Sequence, residues 1–179
     1  LYSGEEVFRA YLNRANIRND RGDHDGALAD MNEVIRRMPG NALIYYNRSL
    51  LWMLKKDRDR AFADVNKALE LDPRYTKALN SRGLAYLERG EYERALRDFN
   101  EVIRLKPKRD HGYAIRGLYW RQRGDLDRAM TDLNKAVELA DKSEELNHYL
   151  RAETLRYRGE FDLALRDLDE AARRAPGAG

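Results

Sequence analysis

The sequence predicts an all-α solenoid of five stacked helical hairpins, and three observations predict it. Ala27, Ala61, Ala95 and Ala129 stand 34 residues apart, and Ala164 follows one residue late. Pro39, Pro73 and Pro107 keep the same interval, Pro176 falls where a fifth period would put it, and the chain has no other proline. Within each period the apolar residues recur at helical spacing and are interrupted once by a turn signal. Self-similarity of this length marks one supersecondary unit that buries its apolar face against the next copy. The 179 residues are therefore expected to form one domain with a ribbon-like core, in hairpins spanning roughly 8–41, 42–75, 76–109, 110–144 and 145–178.

Each hairpin is justified by the same marks. In the first, Tyr11 and Ala15 lie on the opening helix, Gly22 ends it, and Ala27, Met31 and Val34 form the buried stripe of the second helix before Pro39. The second hairpin repeats this with Tyr45, Ser49 and Trp52, then Ala61, Val65 and Ala68, but Lys56 stands where the turn glycine belongs. A residue with a side chain must take that turn, at a cost of about 1 kcal/mol if its φ is positive. The third hairpin is the most regular. Leu79, Gly83, Tyr86 and Leu87 give a helix ending at Gly90, Glu91 favours the start of the next, and Ala95, Phe99 and Val102 carry it to Pro107. In the fourth, Tyr113, Gly117 and Trp120 precede Gly124, with Ala129, Leu133 and Ala136 following. Asp141 replaces the proline there, and the extra residue predicts a longer, looser connection at 140–144. The fifth has Ala152, then Ala164, Leu168 and Ala171. Small residues alternate with bulky ones wherever two helices must approach to about 8–10 Å between axes.

An arginine precedes the small residue of every first helix: Arg14, Arg48, Arg82, Arg116 and Arg151. Sixteen residues later there is always an aspartate: Asp30, Asp64, Asp98, Asp132 and Asp167. A fixed offset inside the hairpin is what an ion pair between its two helices requires, because the guanidinium fork matches a carboxylate. The alternative, a row of arginines holding an acidic ligand, is weakened by the matched carboxylate in each unit.

The succession of aromatic, small residue, aromatic, glycine, alanine, bulky apolar, small residue and proline over 34 residues resembles the tetratricopeptide repeat, and the likeness covers essentially the whole chain. It implies a right-handed superhelical solenoid whose concave wall is made by the first helices and which binds a protein or peptide. On that wall the resemblance places Leu12 and Asn16, then Tyr46, Asn47, Leu50 and Met53, then Lys77, Asn80 and Leu84, then His111, Leu118 and Arg121, and finally Tyr149. Leu50, Leu84 and Leu118 form an apolar stripe at one-period spacing, and the run Leu50 to Leu54 holds more apolar surface than one buried face uses. Members that grip chaperone tails use Lys and Asn in one repeat, Asn in the next, and Lys and Arg in a third. Asn16, Asn47 and Lys77 match that set, but Leu12 and Ser81 replace two of its cations. Chaperone-tail binding is therefore not expected. A ligand with apolar side chains is, either an extended segment or an amphipathic helix.

Composition narrows the rest. The 34 basic and 31 acidic residues nearly cancel, leaving a net charge of +3, and they alternate along the helices, as in Arg94, Arg97 and Asp98. A phosphate-binding groove needs unbroken basic character, so a nucleic-acid partner is not expected. With no cysteine, the chain has no disulfide, thiolate metal site or cysteine nucleophile. His24, His111 and His148 fall at different phases of the repeat, and no triad, phosphate loop or isolated carboxylate pair is present. The expectation is a protein that is not an enzyme and carries no cofactor or metal. No apolar run exceeds the five residues of Leu50 to Leu54, far short of the roughly 20 that cross a bilayer. The chain opens at Leu1 with neither an initiator Met nor a leader pattern, which points to an excised domain or processed product. A rival role is self-assembly: Leu165, Leu168 and Ala172 of the last helix have no polar cap in the sequence, which suggests stacking of copies through the terminal repeats.

Overall fold

The computed structural model describes residues 4–140 and 145–174. Ten helices follow one another: α1 (Gly4–Asp20), α2 (His24–Arg37), α3 (Ala42–Leu54), α4 (Arg58–Leu71), α5 (Thr76–Glu88), α6 (Tyr92–Leu105), α7 (Asp110–Gln122), α8 (Leu126–Leu139), α9 (Leu146–Tyr157) and α10 (Phe161–Arg174). No strand occurs among the described residues. Taken in pairs, the helices are the five hairpins that the period predicts. Of the connection expected at 140–144 only Ala140 is described, and Pro176 also lies outside the described residues.

The turn inside each hairpin is one device used five times. In the first, Gly22 N–H donates to Asn19 C=O at 2.9 Å and Asp23 N–H reaches back to Arg18 C=O at 2.8 Å. This is the Schellman arrangement, which caps the last carbonyls of a helix and needs a left-handed residue at its hinge. The hinges are Gly22, Gly90, Gly124 and Gly159, with φ between 74° and 79°, and Lys56 at 61°, the sole non-glycine with positive φ among the described residues. The acidic residue that closes one helix also opens the next. Asp23, Asp57 and Asp125 accept side-chain hydrogen bonds from the backbone N–H groups of Gly26, Arg60 and Arg128, satisfying donors that a helix start leaves orphaned. Glu91, one methylene longer, makes no such bond.

Two compact units result, Leu1–Ala85 and Tyr86–Gly179, and the division falls inside α5. In the first, Ala15, Ala27, Leu28, Met31, Val34, Ile44 and Leu51 form one buried cluster, so α3 of the second hairpin closes over α1 and α2 of the first. In the second, Ala95, Phe99 and Tyr119 do the same for α6 and α7, with the two rings edge-to-face at 6.0 Å. Ala114, Leu133, Ala136 and Leu150 join α7, α8 and α9. Gly117 lies so close to α8 that a Cβ there would sit 2.8 Å from Leu133 Cγ. Ala164 of α10 packs with Ala152 and Leu155 of α9 and Ala171 is buried, while Leu165 and Leu168 are exposed.

The positive φ of Lys56 generates a test. Lys56→Gly is expected to raise the stability of the chain by roughly 0.5 kcal/mol, about 1 kcal/mol of left-handed strain relieved less the greater freedom of unfolded glycine. A higher urea midpoint with unchanged helicity checks it.

Candidate functional site

Two surfaces concern function, the polar lattice between the hairpin helices and the outward face of the first helices. In the lattice, Arg48 donates from Nε and Nη2 to Asp64 Oδ2 and Oδ1 at 2.7 and 2.6 Å. Arg116 does the same to Asp132 at 2.8 and 2.7 Å, Arg151 to Asp167 at 2.7 and 2.6 Å, and Arg14 to Asp30 at 2.9 and 2.5 Å. All four aspartates are buried, and a bidentate arginine is the partner that makes a buried carboxylate tolerable. Arg82 and Asp98 occupy the same phase in different units; Asp98 is buried as well.

The sequence reading missed the third member of this lattice. Arg48 Nη1 donates to Asn32 Oδ1 at 2.7 Å, Arg116 Nη1 to Asn100 at 2.6 Å, and Arg151 Nη1 to Asn134 at 3.0 Å, while Arg82 Nη1 stands 3.5 Å from Asn66. Each asparagine belongs to the preceding hairpin, so one guanidinium ties its own hairpin shut and also anchors it to the one before. The signal was present as the triplet of aspartate, bulky apolar residue and asparagine at 30–32, 64–66, 98–100 and 132–134. Further links run between the same neighbours: Lys55 pairs with Asp25, and Arg158 with Asp127 at 2.8 Å.

Electrostatics follow the geometry. The hydrogen bonds that Arg116 donates to Asp132 raise its pKa further, against the opposing effect of burial. Burial pushes the Asp167 carboxyl up, but hydrogen bonds from Arg151 and from His148, whose Nδ1 lies 3.0 Å away, outweigh it and hold the carboxyl below its ordinary value. On the exposed surface Arg36 and Arg37 draw Glu33 down to about 2.

The outward face of the first helices is uneven. In the first unit α3 exposes Leu50 (43%), Met53 (46%) and Leu54, and α5 exposes Leu84 (45%). Tyr46 and Asn47 are half-buried, and Tyr46 meets Tyr75 edge-to-face at 5.1 Å, a partner that the sequence reading did not include. Asn16 and Lys77 are exposed, whereas Leu12 is half-buried against the first-unit core with Phe8 and Tyr11. Asn80 departs from expectation: only 7% of it is exposed, and its Oδ1 has no hydrogen-bond partner. Its side chain is too short to reach past the layer that Tyr46 and Tyr149, at the same phase, extend beyond. In the second unit His111 and Tyr149 are exposed, with Leu146 beside Tyr149 in sequence. Leu118 instead packs on the cluster of Ala114, Leu133, Ala136 and Leu150, and Arg121 is half-buried with Nη1 3.5 Å from Leu150 C=O. In the first unit the exposed apolar side chains of these helices therefore lie chiefly on α3, with Leu84 on α5, and in the second unit they lie on α9.

A fold of paired helices with exposed apolar first helices defines a helical-repeat protein. Tetratricopeptide-repeat profiles match residues 12–76 and 76–109, and the chain belongs to the tetratricopeptide-repeat family. No curated protein matches it in sequence. Among solved structures it is similar to PilF of Pseudomonas aeruginosa, with a TM-score of 0.81 and 21% identity over 96% of this chain and 78% of that one. MamA, residues 41 to the end, from Desulfovibrio magneticus RS-1 superposes with a TM-score of 0.76 and 21% identity, covering 94% of each chain. YrrB, described as a repeat protein of this family with an unusual peptide-binding site, gives 0.65 and 21% over 93% of this chain and 86% of that one. These likenesses establish the fold. Among the described residues no cluster of His, Asp or Glu could hold a metal ion, and no helix is long and apolar enough to cross a membrane.

Two outcomes are expected of the lattice. Arg116→Ala leaves Asp132 buried without its fork and costs about 3 kcal/mol; in a double-mutant cycle with Asp132→Ala, urea unfolding reads a favourable coupling between the two. Because the folded Asp167 carboxyl titrates below its unfolded counterpart, its contribution is complete above about pH 4 and is lost as pH falls through the folded value. Circular dichroism under acid titration should show that loss in the wild type and not in Asp167→Asn.

Proposed function

We propose that this chain is a protein-interaction scaffold whose first unit presents an apolar surface on α3 and α5 to a partner's apolar side chains. Proteins of this repeat family bind protein or peptide partners, and the observation that carries the finer reading is the exposure of Leu50, Met53, Leu54 and Leu84 together. Exposed apolar side chains gathered in this way on helix faces mark an interaction site. A partner helix with apolar residues at intervals of three and four, or an extended segment with alternate apolar side chains, fits such a surface. Tyr46, braced by Tyr75, supplies a flat ring with a polar tip at its edge. Asn16, Asn47 and Lys77 add hydrogen-bonding groups around it, and His111 and Tyr149 offer comparable contacts in the second unit. Leu118 and Arg121 contribute less, since packing already engages them. The near balance of charge favours a protein partner over a nucleic acid.

A variant carrying Tyr46→Asp, Leu50→Asp and Leu84→Asp places three charges on this surface without touching the Arg–Asp–Asn lattice. In affinity capture beside the wild type it is expected to lose partners by tenfold or more. Retention of every partner by a variant of unchanged helicity overturns the proposal.

A further inference from the structure

At two junctions between hairpins an indole fills the same space. Trp52 of α3 packs in one cluster with Leu28 of α2, and Arg60 of α4 lies over its ring at 4.6 Å. In the second unit Trp120 of α7 packs in one cluster with Leu96 of α6, and Arg128 of α8 lies over it at 4.6 Å. Each arginine is held by the acidic residue of its turn, Asp57 at 3.2 Å and Asp125 at 3.3 Å. The ring plugs the gap between one hairpin and the next, and the cation closes it from outside.

The junction of the fourth and fifth hairpins has the same frame without the plug. Met130 of α8 stands at the phase of Leu28 and Leu96, and Arg151 reaches Asn134 as Arg48 reaches Asn32 and Arg116 reaches Asn100. At the phase of the indoles is Leu155, and Leu163 takes the phase of Arg60 and Arg128. Both replacements are smaller, so space that is filled elsewhere is open here. A cleft of about 460 Å³ results, with Met130, Leu155 and Leu163 as its apolar lining and Glu160 and Arg166 among its polar residues. Leu155 is buried and Leu163 is 45% exposed. Both sides of the cleft belong to the described chain, α8 on one and α9 with α10 on the other, so its opening owes nothing to what precedes α1 or follows α10. Its charges are unevenly matched. Arg151 holds Asp167 through two nitrogens, and Glu160 pairs with Arg158 at 2.6 Å. Arg166 is exposed and has no ion-pair or hydrogen-bond partner among the described residues.

We infer that this cleft receives a tryptophan side chain from a protein partner, in the place of the indole that the fifth hairpin lacks, with an acidic residue beside it binding Arg166. The ring is the shape that the same frame accommodates at the other two junctions, and its large apolar faces suit the lining of Met130, Leu155 and Leu163. The planar guanidinium matches a carboxylate at the mouth, whereas a basic neighbour of the ring would meet Arg166 with like charge. An aliphatic side chain fills less of the space. The cleft shares no residue with the apolar surface on α3 and α5, so either proposal can fail alone.

Titration of the full chain with the peptide acetyl-Glu-Trp-Glu-amide, followed by NMR, tests it. The peptide is expected to shift the amide signals of Met130, Leu155, Leu163 and Arg166 with a Kd on the order of 1 mM, the range open to a ligand of this size. Acetyl-Glu-Leu-Glu-amide should bind more weakly. The double variant Leu155→Trp, Leu163→Arg rebuilds the plug and lid of the other junctions, and is expected to abolish these shifts and to raise the urea midpoint. Arg166→Glu changes an exposed position, and should weaken acetyl-Glu-Trp-Glu-amide by about threefold, the worth of an exposed charge pair, while leaving acetyl-Gln-Trp-Gln-amide unchanged. Absence of shifts at the four residues up to about 10 mM peptide, or shifts confined to α3 and α5, overturns the inference. So does wild-type affinity in a double variant of unchanged helicity. Should the double variant not fold, equal affinity of Arg166→Glu and the wild type for acetyl-Glu-Trp-Glu-amide overturns it.

Discussion

Four of the hairpins are each held by one guanidinium. It sits on the first helix and grips a buried aspartate of the second helix with two nitrogens, and in Arg48, Arg116 and Arg151 the third reaches an asparagine of the hairpin before. Burying a carboxylate is costly unless charge and hydrogen bonds compensate it, so the aspartate dictates where the arginine must be. Apolar packing alone lets helices slide with little loss, since shape is only loosely discriminating. A planar fork with three committed nitrogens does not slide. The crossing of the two helices and the seating of the next hairpin are fixed by the same side chain, so neighbouring hairpins within a unit share one geometry.

Around that fork the packing is ordinary and local. Trp52 and Trp120, late in their first helices, lie under Arg60 and Arg128 at 4.6 Å, and the same arginines pair with the capping Asp57 and Asp125. The aromatic ring thus roofs the turn and the cation seals it, a contact that contributes about 0.5–1 kcal/mol at a partly exposed site. In the fifth hairpin Leu155 and Leu163 take those two places, and His148 stands where Tyr11, Tyr45 and Tyr113 stand in others. Its Nδ1 reaches Asp167 while its buried Nε2 has no hydrogen-bond partner.

Much of this was legible in the sequence because a repeat displays each position five times. The hairpins, their turns, the strained Lys56 and the arginine–aspartate offset all follow from residues that recur at one interval. What recurs without an obvious chemical partner was harder to read. Asn32, Asn66, Asn100 and Asn134 are as periodic as the aspartates, yet asparagine has many uses, and only the placement of α2 beside α3 or α6 beside α7 shows which arginine each serves. The outward face was the least legible part. Helical phase assigns Asn80, Leu118 and Tyr149 to one side equally, but the first is buried, the second is packed and the third is exposed, because reach depends on side-chain length and on neighbours as well as on angle.

The doubled role of the acidic turn residue bears on how such a chain can change in length. Asp57 N–H closes α3 on Trp52 C=O while its carboxylate opens α4 at Arg60 N–H, so no residue separates the two obligations. An insertion there would break both caps at once, whereas the stretch from one hairpin to the next carries no such shared duty. The single insertion in the repeat series lies there, in the 35-residue step from Ala129 to Ala164, between Ala136 and Glu145. Grafted loops, tags and recognition sequences therefore belong between hairpins and not within them.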